Sequence, residues 1–223
     1  MNELLCVITL IISFTFVILS YKFLGKTGLF LWIAIATIVS NIQTVKLVNI
    51  FGIESSLGTI LYGSTFLATD ILNLKYGKKE AKKTILIGFL TMIVMTVFMS
   101  LCLKYAPSSN DFAQQSLITI FTVNIRITIA SLIAFAFSQF IDTILFQKLQ
   151  KKYNKLWLSN NASTMICQII DTIIFCTITY YGLVDIHVIF QIMISMYAFK
   201  FVIALCDTPY IYIASKIKKV NEY

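Results

Sequence analysis

Seven stretches of this 223-residue chain are predominantly apolar over about 18 residues or more, and they limit its fold more than any other feature. They run approximately Leu4–Tyr21, Leu29–Phe51, Leu57–Leu74, Thr84–Leu103, Leu117–Phe146, Leu156–Leu183 and Val188–Ser215. A helix needs about 20 such residues to cross the hydrocarbon core of a bilayer. Backbone N–H and C=O groups find no water there, so a spanning segment must satisfy them internally, as a helix does. Composition agrees: 58% of residues are hydrophobic and 13% charged, against about a quarter charged in a soluble domain. The expectation is an all-α integral membrane protein, a bundle of six to seven transmembrane helices forming a single transmembrane domain over residues 1–223. The first stretch does not read as a cleaved secretory signal, because Asn2 and Glu3 stand where a basic region belongs and no small-x-small site precedes Tyr21. Without it six crossings would remain.

Charges between the stretches alternate. The first, third and fifth loops and the tail carry fourteen lysines: Lys22 and Lys26; Lys75, Lys78, Lys79, Lys82 and Lys83; Lys148, Lys151, Lys152 and Lys155; Lys216, Lys218 and Lys219. The other loops hold only Lys104, with Glu54, Asp111, Asp185 and the single histidine, His187. Lysine and arginine accumulate on the cytoplasmic side of a membrane. The expected arrangement is therefore a multi-pass protein of the cell (plasma or inner) membrane, with its N-terminus outside and its C-terminus in the cytoplasm. The net charge of +8 is then a topological feature, and direct nucleic-acid binding is not expected.

Seven ionisable residues lie inside the stretches: Lys46, Arg126, Lys200, Asp70, Asp142, Asp171 and Asp207. A charge near the bilayer centre costs at least about 2.5–3.5 kcal/mol, so such residues pair, line a water-filled cavity or do chemistry. Lys46, Asp70 and Asp142 stand near segment ends, where snorkelling is an alternative. Asp171 follows Lys155 by sixteen residues, roughly 24 Å along a helix. Lys200 and Asp207 are two turns apart, too far for a bridge within one helix, so each is expected to pair with another helix.

Polar neighbours recur at helical spacing. Asn161, Thr164, Gln168 and Asp171 form one stripe; Gln139, Asp142 and Phe146 form another; Tyr62, Phe66, Asp70 and Asn73 a third; Gln43, Lys46 and Asn49 a fourth. Converging in a bundle, these faces would enclose a polar cavity. Carboxylates, Asn and Gln read the donor and acceptor edges of a planar heterocycle, and Tyr62, Phe66, Phe146 and Phe175 offer faces to stack on it. The same aromatic stripes also serve ordinary helix packing.

Other chemistries lack their motifs. No G-x-x-x-x-G-K-[ST], H-E-x-x-H or G-x-S-x-G occurs, so nucleotide hydrolysis through a P-loop and zinc or serine hydrolysis are unsupported. Cys6, Cys102, Cys167, Cys176 and Cys206 form no C-x-x-C pair, and no metal or cofactor is expected.

Two regions carry a resemblance. The first is Phe66-Leu67-Ala68-Thr69-Asp70 leading into Gly77 and the following lysines; the second is Ser138-Gln139-Phe140-Ile141-Asp142, then Asn161-Ala162-Ser163-Thr164 and Gln168-Ile169-Ile170-Asp171. With Arg126 and Phe199-Lys200 they resemble the queuosine precursor transporter family, also called the vitamin uptake transporter family, over about Gly28 to Ile217. The resemblance implies a transporter, not an enzyme, importing 7-deazaguanine bases such as 7-cyano-7-deazaguanine or 7-aminomethyl-7-deazaguanine for salvage into tRNA queuosine. It implies a substrate site drawn from Asp70, Arg126, Gln139, Asp142, Asn161, Thr164, Gln168, Asp171 and Lys200. In that scheme Asp142 or Asp171 accepts from the base, Arg126 or Lys200 contacts its ring carbonyl, and Asp70 stands near the cytoplasmic exit. Energy would come from a separate ATPase module docked on the cytoplasmic loops or from proton coupling through a membrane aspartate. The alternatives are an importer of another purine-like or vitamin solute, a structural or assembly protein whose buried charges pair, and an intramembrane enzyme using Asp142 and Asp171 as a coupled acid pair. Under the transport reading, Asp142→Asn abolishes uptake while the protein still reaches the membrane; wild-type uptake by that variant removes Asp142 from the site.

Overall fold

The computed structural model describes residues 1–153 and 156–217, apart from the side chains of residues 78, 139, 142, 143, 146, 147, 150, 156–164 and 204. Its first element, α1 (Asn2–Thr44), covers two of the expected crossings. The chain reverses at Gly25, whose φ of 58° and ψ of −135° suit glycine alone. At Gly28, just past the reversal, a side chain would collide with the carbonyl of Ser20. The two arms of α1 therefore lie antiparallel. Phe16 stacks on Trp32 with ring centroids 6.0 Å apart, and at the far end Asn2 Nδ2 donates to the Asn49 carbonyl at 2.8 Å.

The second crossing is shorter than expected, because α1 stops at Thr44 and the chain turns to strand. β1 (Leu47–Ile50) pairs antiparallel with β2 (Ile53–Ser56), Ile50 opposite Ile53 and Leu47 opposite Ser56. Phe51 and Gly52 close the hairpin with φ of 53° and 79°. Positive φ at both central residues is the type I′ turn, whose twist matches that of paired strands. Side chains hold its open edges: Phe51 N–H donates to Glu3 Oε1 at 3.2 Å, and Glu54 N–H to Gln191 Oε1 at 3.0 Å. Lys46 is consequently outside the helix, in the turn that leads to the hairpin, and Gln43, Lys46 and Asn49 do not form one helical face.

Six further helices follow: α2 (Gly58–Tyr76), α3 (Lys78–Cys102), α4 (Gln114–Tyr153), α5 (Leu156–Tyr180), α6 (Ile186–Cys206) and α7 (Thr208–Lys216). α4 starts behind Asp111, whose Oδ1 accepts from the N–H groups of Ala113 and Gln114 at 2.7 and 3.1 Å. This meets donors that a helix start otherwise leaves open. α5 ends at Tyr180 rather than Leu183, and Gly182 (φ 78°) turns the chain. The last expected segment is broken at Asp207, and Pro209 sits in the first turn of α7, where its missing N–H costs no hydrogen bond.

Among the described residues four stretches are long and apolar enough to cross a membrane: Asn2–Thr44, Lys79–Cys102, Gln114–Ser138 and Ile186–Lys216; Met165–Tyr180 is a shorter apolar helix. With α1 folded in two, and with α2 and α5, they make a bundle of seven long helical rods plus α7. The chain is an all-α membrane protein. α2 runs through its middle, with Leu67, Ala68, Ile71 and Leu72 fully buried. Rods consecutive in the chain are antiparallel. Trp32 Nε1 donates to Ser64 Oγ at 3.0 Å between α1 and α2. Between α3 and α4, Phe89 meets Phe135 edge-on at 4.7 Å and Thr96 bonds Thr128 at 2.8 Å.

The lysine-rich turns gather at one end. Lys26 lies 3.8 Å from Glu80, and Lys75 Nζ donates to the carbonyls of Ser215 and Ile217 at 2.8 and 2.9 Å. The hairpin, Asn2, Glu3 and the α5–α6 turn occupy the opposite end. Gly25→Ala should cost about 1–3 kcal/mol, since alanine is strained at that backbone conformation. Gly88→Ala, whose new Cβ would meet only Thr37 Oγ1 at 3.9 Å, should melt no lower than wild type. Thermal unfolding of the detergent-solubilised protein measures both.

Candidate functional site

A cavity of about 430 Å³ lies among α1 to α6. Its wall gathers hydroxyls, and the Asn41 amide, from successive helices. α1 supplies Thr37, Ser40, Asn41 and Thr44; α2 supplies Thr59, Thr65 and Thr69; α3 supplies Thr84, and α4 Ser131 and Ser138. Most of these groups spend their proton on their own helix. Thr44 donates to Ser40 O at 2.8 Å, Thr65 to Tyr62 O at 2.7 Å, Thr69 to Thr65 O at 2.8 Å and Thr84 to Ala81 O at 2.7 Å. Ser138 does so to Phe135 O at 3.1 Å, and the Asn41 amide to Thr37 O at 2.7 Å. A hydroxyl used this way keeps its lone pairs, so the wall presents mostly acceptors.

The charged part of the wall is a pair. Lys200 on α6 points its Nζ at Asp171 Oδ2 across 3.4 Å and donates to Thr172 Oγ1 at 3.1 Å, both on α5. The Asp171 side chain is 32% exposed and that of Lys200 14%. The carboxylate is therefore the more open partner and retains free acceptor positions, while the ammonium has a third proton to give. Gln168 lies one turn from Asp171 on the same wall. Aromatic rings complete it: Tyr62 and Phe66 in edge contact at 5.9 Å, Phe89 and Phe135, and Phe175 one turn beyond Asp171. Ala134, 1% exposed, keeps the α4 side slim.

Of the residues singled out from sequence, Gln168, Asp171 and Lys200 come together on this wall. Lys200 pairs with another helix rather than with Asp207, which is buried between α6 and α7. Asp70 does not line the main cavity. It lines a smaller adjoining cleft with Asn73 and Lys82, toward the lysine-rich end, and Thr69, Thr84 and Ile85 border both spaces. Arg126 is not on the wall either. Its Nε donates to the Ile178 carbonyl and its Nη2 to the Tyr181 carbonyl at 2.5 Å. It thus meets carbonyls at the C-terminal end of α5, where no further turn of helix follows and a cation is favoured. The side chains of Gln139, Asp142, Asn161 and Thr164, and of Phe146, lie outside the described residues.

The polar stripe Thr37, Ser40, Asn41 and Thr44 was not among the faces singled out from sequence, although its spacing is plain there. Among the described residues no group of three His, Cys, Asp or Glu can hold a metal ion.

Residues 56–214 match a family model described as "Putative vitamin uptake transporter". A Bacillus subtilis (strain 168) protein named "Probable queuosine precursor transporter" is 41% identical over 210 residues, covering 93% of this chain and 92% of that protein. The Escherichia coli (strain K12) protein named "Queuosine precursor transporter" is 27% identical over 188 residues, 83% of this chain and 82% of its own length. A Haemophilus influenzae relative, also named "Probable queuosine precursor transporter", is 28% identical over 138 residues, 61% of this chain and 57% of that protein. No solved structure matches the chain.

The placement of Arg126 has its own test. Arg126→Gln removes two charge-assisted hydrogen bonds and should destabilise the fold by about 2–4 kcal/mol. Arg126→Lys should recover only part of this, since one ammonium does not reproduce the guanidinium fork. Denaturation in detergent reads both; an unchanged midpoint for Arg126→Gln contradicts the capping role.

Proposed function

The chain belongs to the vitamin uptake transporter family, and on that premise we propose that it imports a queuosine precursor, a 7-deazaguanine base, across the cell membrane. The lysine-rich end faces the cytoplasm, the N-terminus faces outward, and the whole chain works as one transmembrane unit with no bond-breaking step. The observation that carries the substrate class is the Asp171–Lys200 pair set into a wall of acceptors and rings.

A guanine-type base presents a carbonyl oxygen beside a ring N–H and an exocyclic amine. Lys200 donates its free N–H to the carbonyl, and Asp171 accepts from the two neighbouring donors. Gln168 and the wall hydroxyls take the remaining polar edge, and Tyr62, Phe66 or Phe175 covers the ring face. A base with the adenine arrangement puts an amine against the ammonium and is rejected, because its mismatch leaves buried polar groups unpaired. Thr69 and Thr84, whose hydroxyl oxygens lie 3.4 Å apart, separate the cavity from the Asp70 cleft. That cleft is the route out toward the cytoplasm, and Asp142, Asn161 and Thr164 complete the site.

The test is complementation in bacteria lacking both precursor synthesis and their own importer. Supplied with nanomolar 7-cyano-7-deazaguanine, cells expressing this chain should regain queuosine in tRNA. Asp171→Asn, which keeps shape but loses the charge, should cut initial uptake tenfold or more, roughly the loss of one charge-assisted hydrogen bond. No queuosine from wild-type protein that is folded and in the membrane overturns the substrate; full uptake by Asp171→Asn removes that residue from the site.

A further inference from the structure

The Lys200 ammonium is held between two neighbouring residues of α5, and it stands nearer the uncharged one. Its Nζ lies 3.1 Å from Thr172 Oγ1 and 3.4 Å from Asp171 Oδ2. A relaxed contact between an ammonium and a carboxylate closes to about 2.7–2.9 Å, so this pair is held open. Thr172 is built to hold it so. Its hydroxyl gives its own proton to the Gln168 carbonyl one turn back, at 2.8 Å, and the oxygen turned toward Lys200 therefore accepts. The same bond fixes where the side chain points, because a threonine in a helix otherwise divides between two rotamers. Thr172 is 3% exposed and does not line the cavity, whereas Gln168, Asp171 and Lys200 do. What it does to cargo it does through Lys200.

We propose that Thr172 is a positioning residue of the binding site: it holds the Lys200 ammonium off Asp171, which aims the third N–H at the carbonyl of the base and leaves the carboxylate open to the base's donors. This rests on the transport reading and adds the residue that keeps the pair from closing on itself. An ammonium has three protons to place. Asp171 and Thr172 take two of them, and those two directions fix the third. Without the Thr172 oxygen the ammonium settles onto Asp171, since unlike charges attract strongly at low dielectric. The carboxylate then spends its acceptor positions on lysine, and the N–H meant for the ligand turns away.

The experiment is uptake of radiolabelled 7-cyano-7-deazaguanine into proteoliposomes holding the full chain, against two unlabelled competitors. One is the same base. The other is its 6-thioxo counterpart, which keeps both donors but offers sulfur, a weak acceptor, in place of the carbonyl oxygen. In wild type the thioxo base should need a concentration about fivefold or more above the oxo base for half-inhibition. Thr172→Val keeps the shape and loses the oxygen. Its half-saturating concentration for the labelled base should rise about fivefold or more, and the oxo–thioxo gap should shrink to within about twofold. Thr172→Ser returns the hydroxyl and should restore both. General damage to the fold weakens the two competitors alike and leaves their ratio, so the ratio separates positioning from a merely structural role. A gap that persists in Thr172→Val overturns the proposal, and so does a Thr172→Ser variant that behaves as the valine does. Equal inhibition by the two competitors in wild type also overturns it, whether or not Thr172→Val folds. If the valine variant does not fold, Thr172→Ala is read in its place. Failure of the labelled base to enter wild-type liposomes is a different result: it sinks the transport reading, and the role of Thr172 with it.

Discussion

A bilayer offers no water to a polar group, and this one constraint shapes nearly every contact in the chain. Backbone groups meet it by coiling into helices. The serine and threonine hydroxyls meet it by donating to carbonyls three or four residues back, as Thr44, Thr65, Thr69 and Thr84 do. A membrane helix can therefore carry many hydroxyls without a partner helix, and these can be gathered around an open space. The cavity is built mainly of residues that are satisfied at home, and what they turn inward is unused lone pairs. Among the described side chains of the wall, the Lys200 ammonium and the Asp171 carboxylate stand out against that background.

The same constraint explains how the bundle keeps a space open. α1 packs along α2 and α4 along α5, while α3 and α6 bridge the two pairs. Trp32, bonded to Ser64, and the Phe89–Phe135 contact brace the wall from outside and inside. Large apolar side chains such as Phe98, Phe140, Phe190 and Phe201 are exposed on the outer surface, where hydrocarbon is their solvent. Apolar rings thus serve both surfaces: these four face the perimeter, while Phe66, Phe89, Phe135 and Phe175 line the cavity among its hydroxyls.

Much of this was legible in the sequence, for identifiable reasons. Apolar runs and alternating lysine clusters are direct imprints of a bilayer, and they mark the rods and the shared end of the basic turns. The hairpin was not legible. Leu47-Val48-Asn49-Ile50 is as apolar as a helix end, and Phe51-Gly52 lacks the Asn or Asp that usually announces a type I′ turn. The break at Asp207 had a signal in Pro209, but an otherwise unbroken apolar run masked it. Asp171 and Lys200 were recognisable because a charge in a membrane demands a reason, and the structure supplies one in their mutual contact. Arg126 raised the same demand and met it differently. Its partners are main-chain carbonyls, which every sequence contains and none advertises.

The rim of the hairpin brings together parts of the chain that are made far apart in time. Its turn is tied to Glu3, among the first residues synthesised, and its second strand to Gln191 in α6, which emerges only after four intervening helices. A ribosome adds about 5–20 residues each second, so the first tie is available early while the second waits many seconds. During that wait the mouth of the cavity is open on the α6 side, and the pocket has no far wall. The rim can lock only as one of the closing steps of assembly, which makes the hairpin's fastening a report that the bundle is complete.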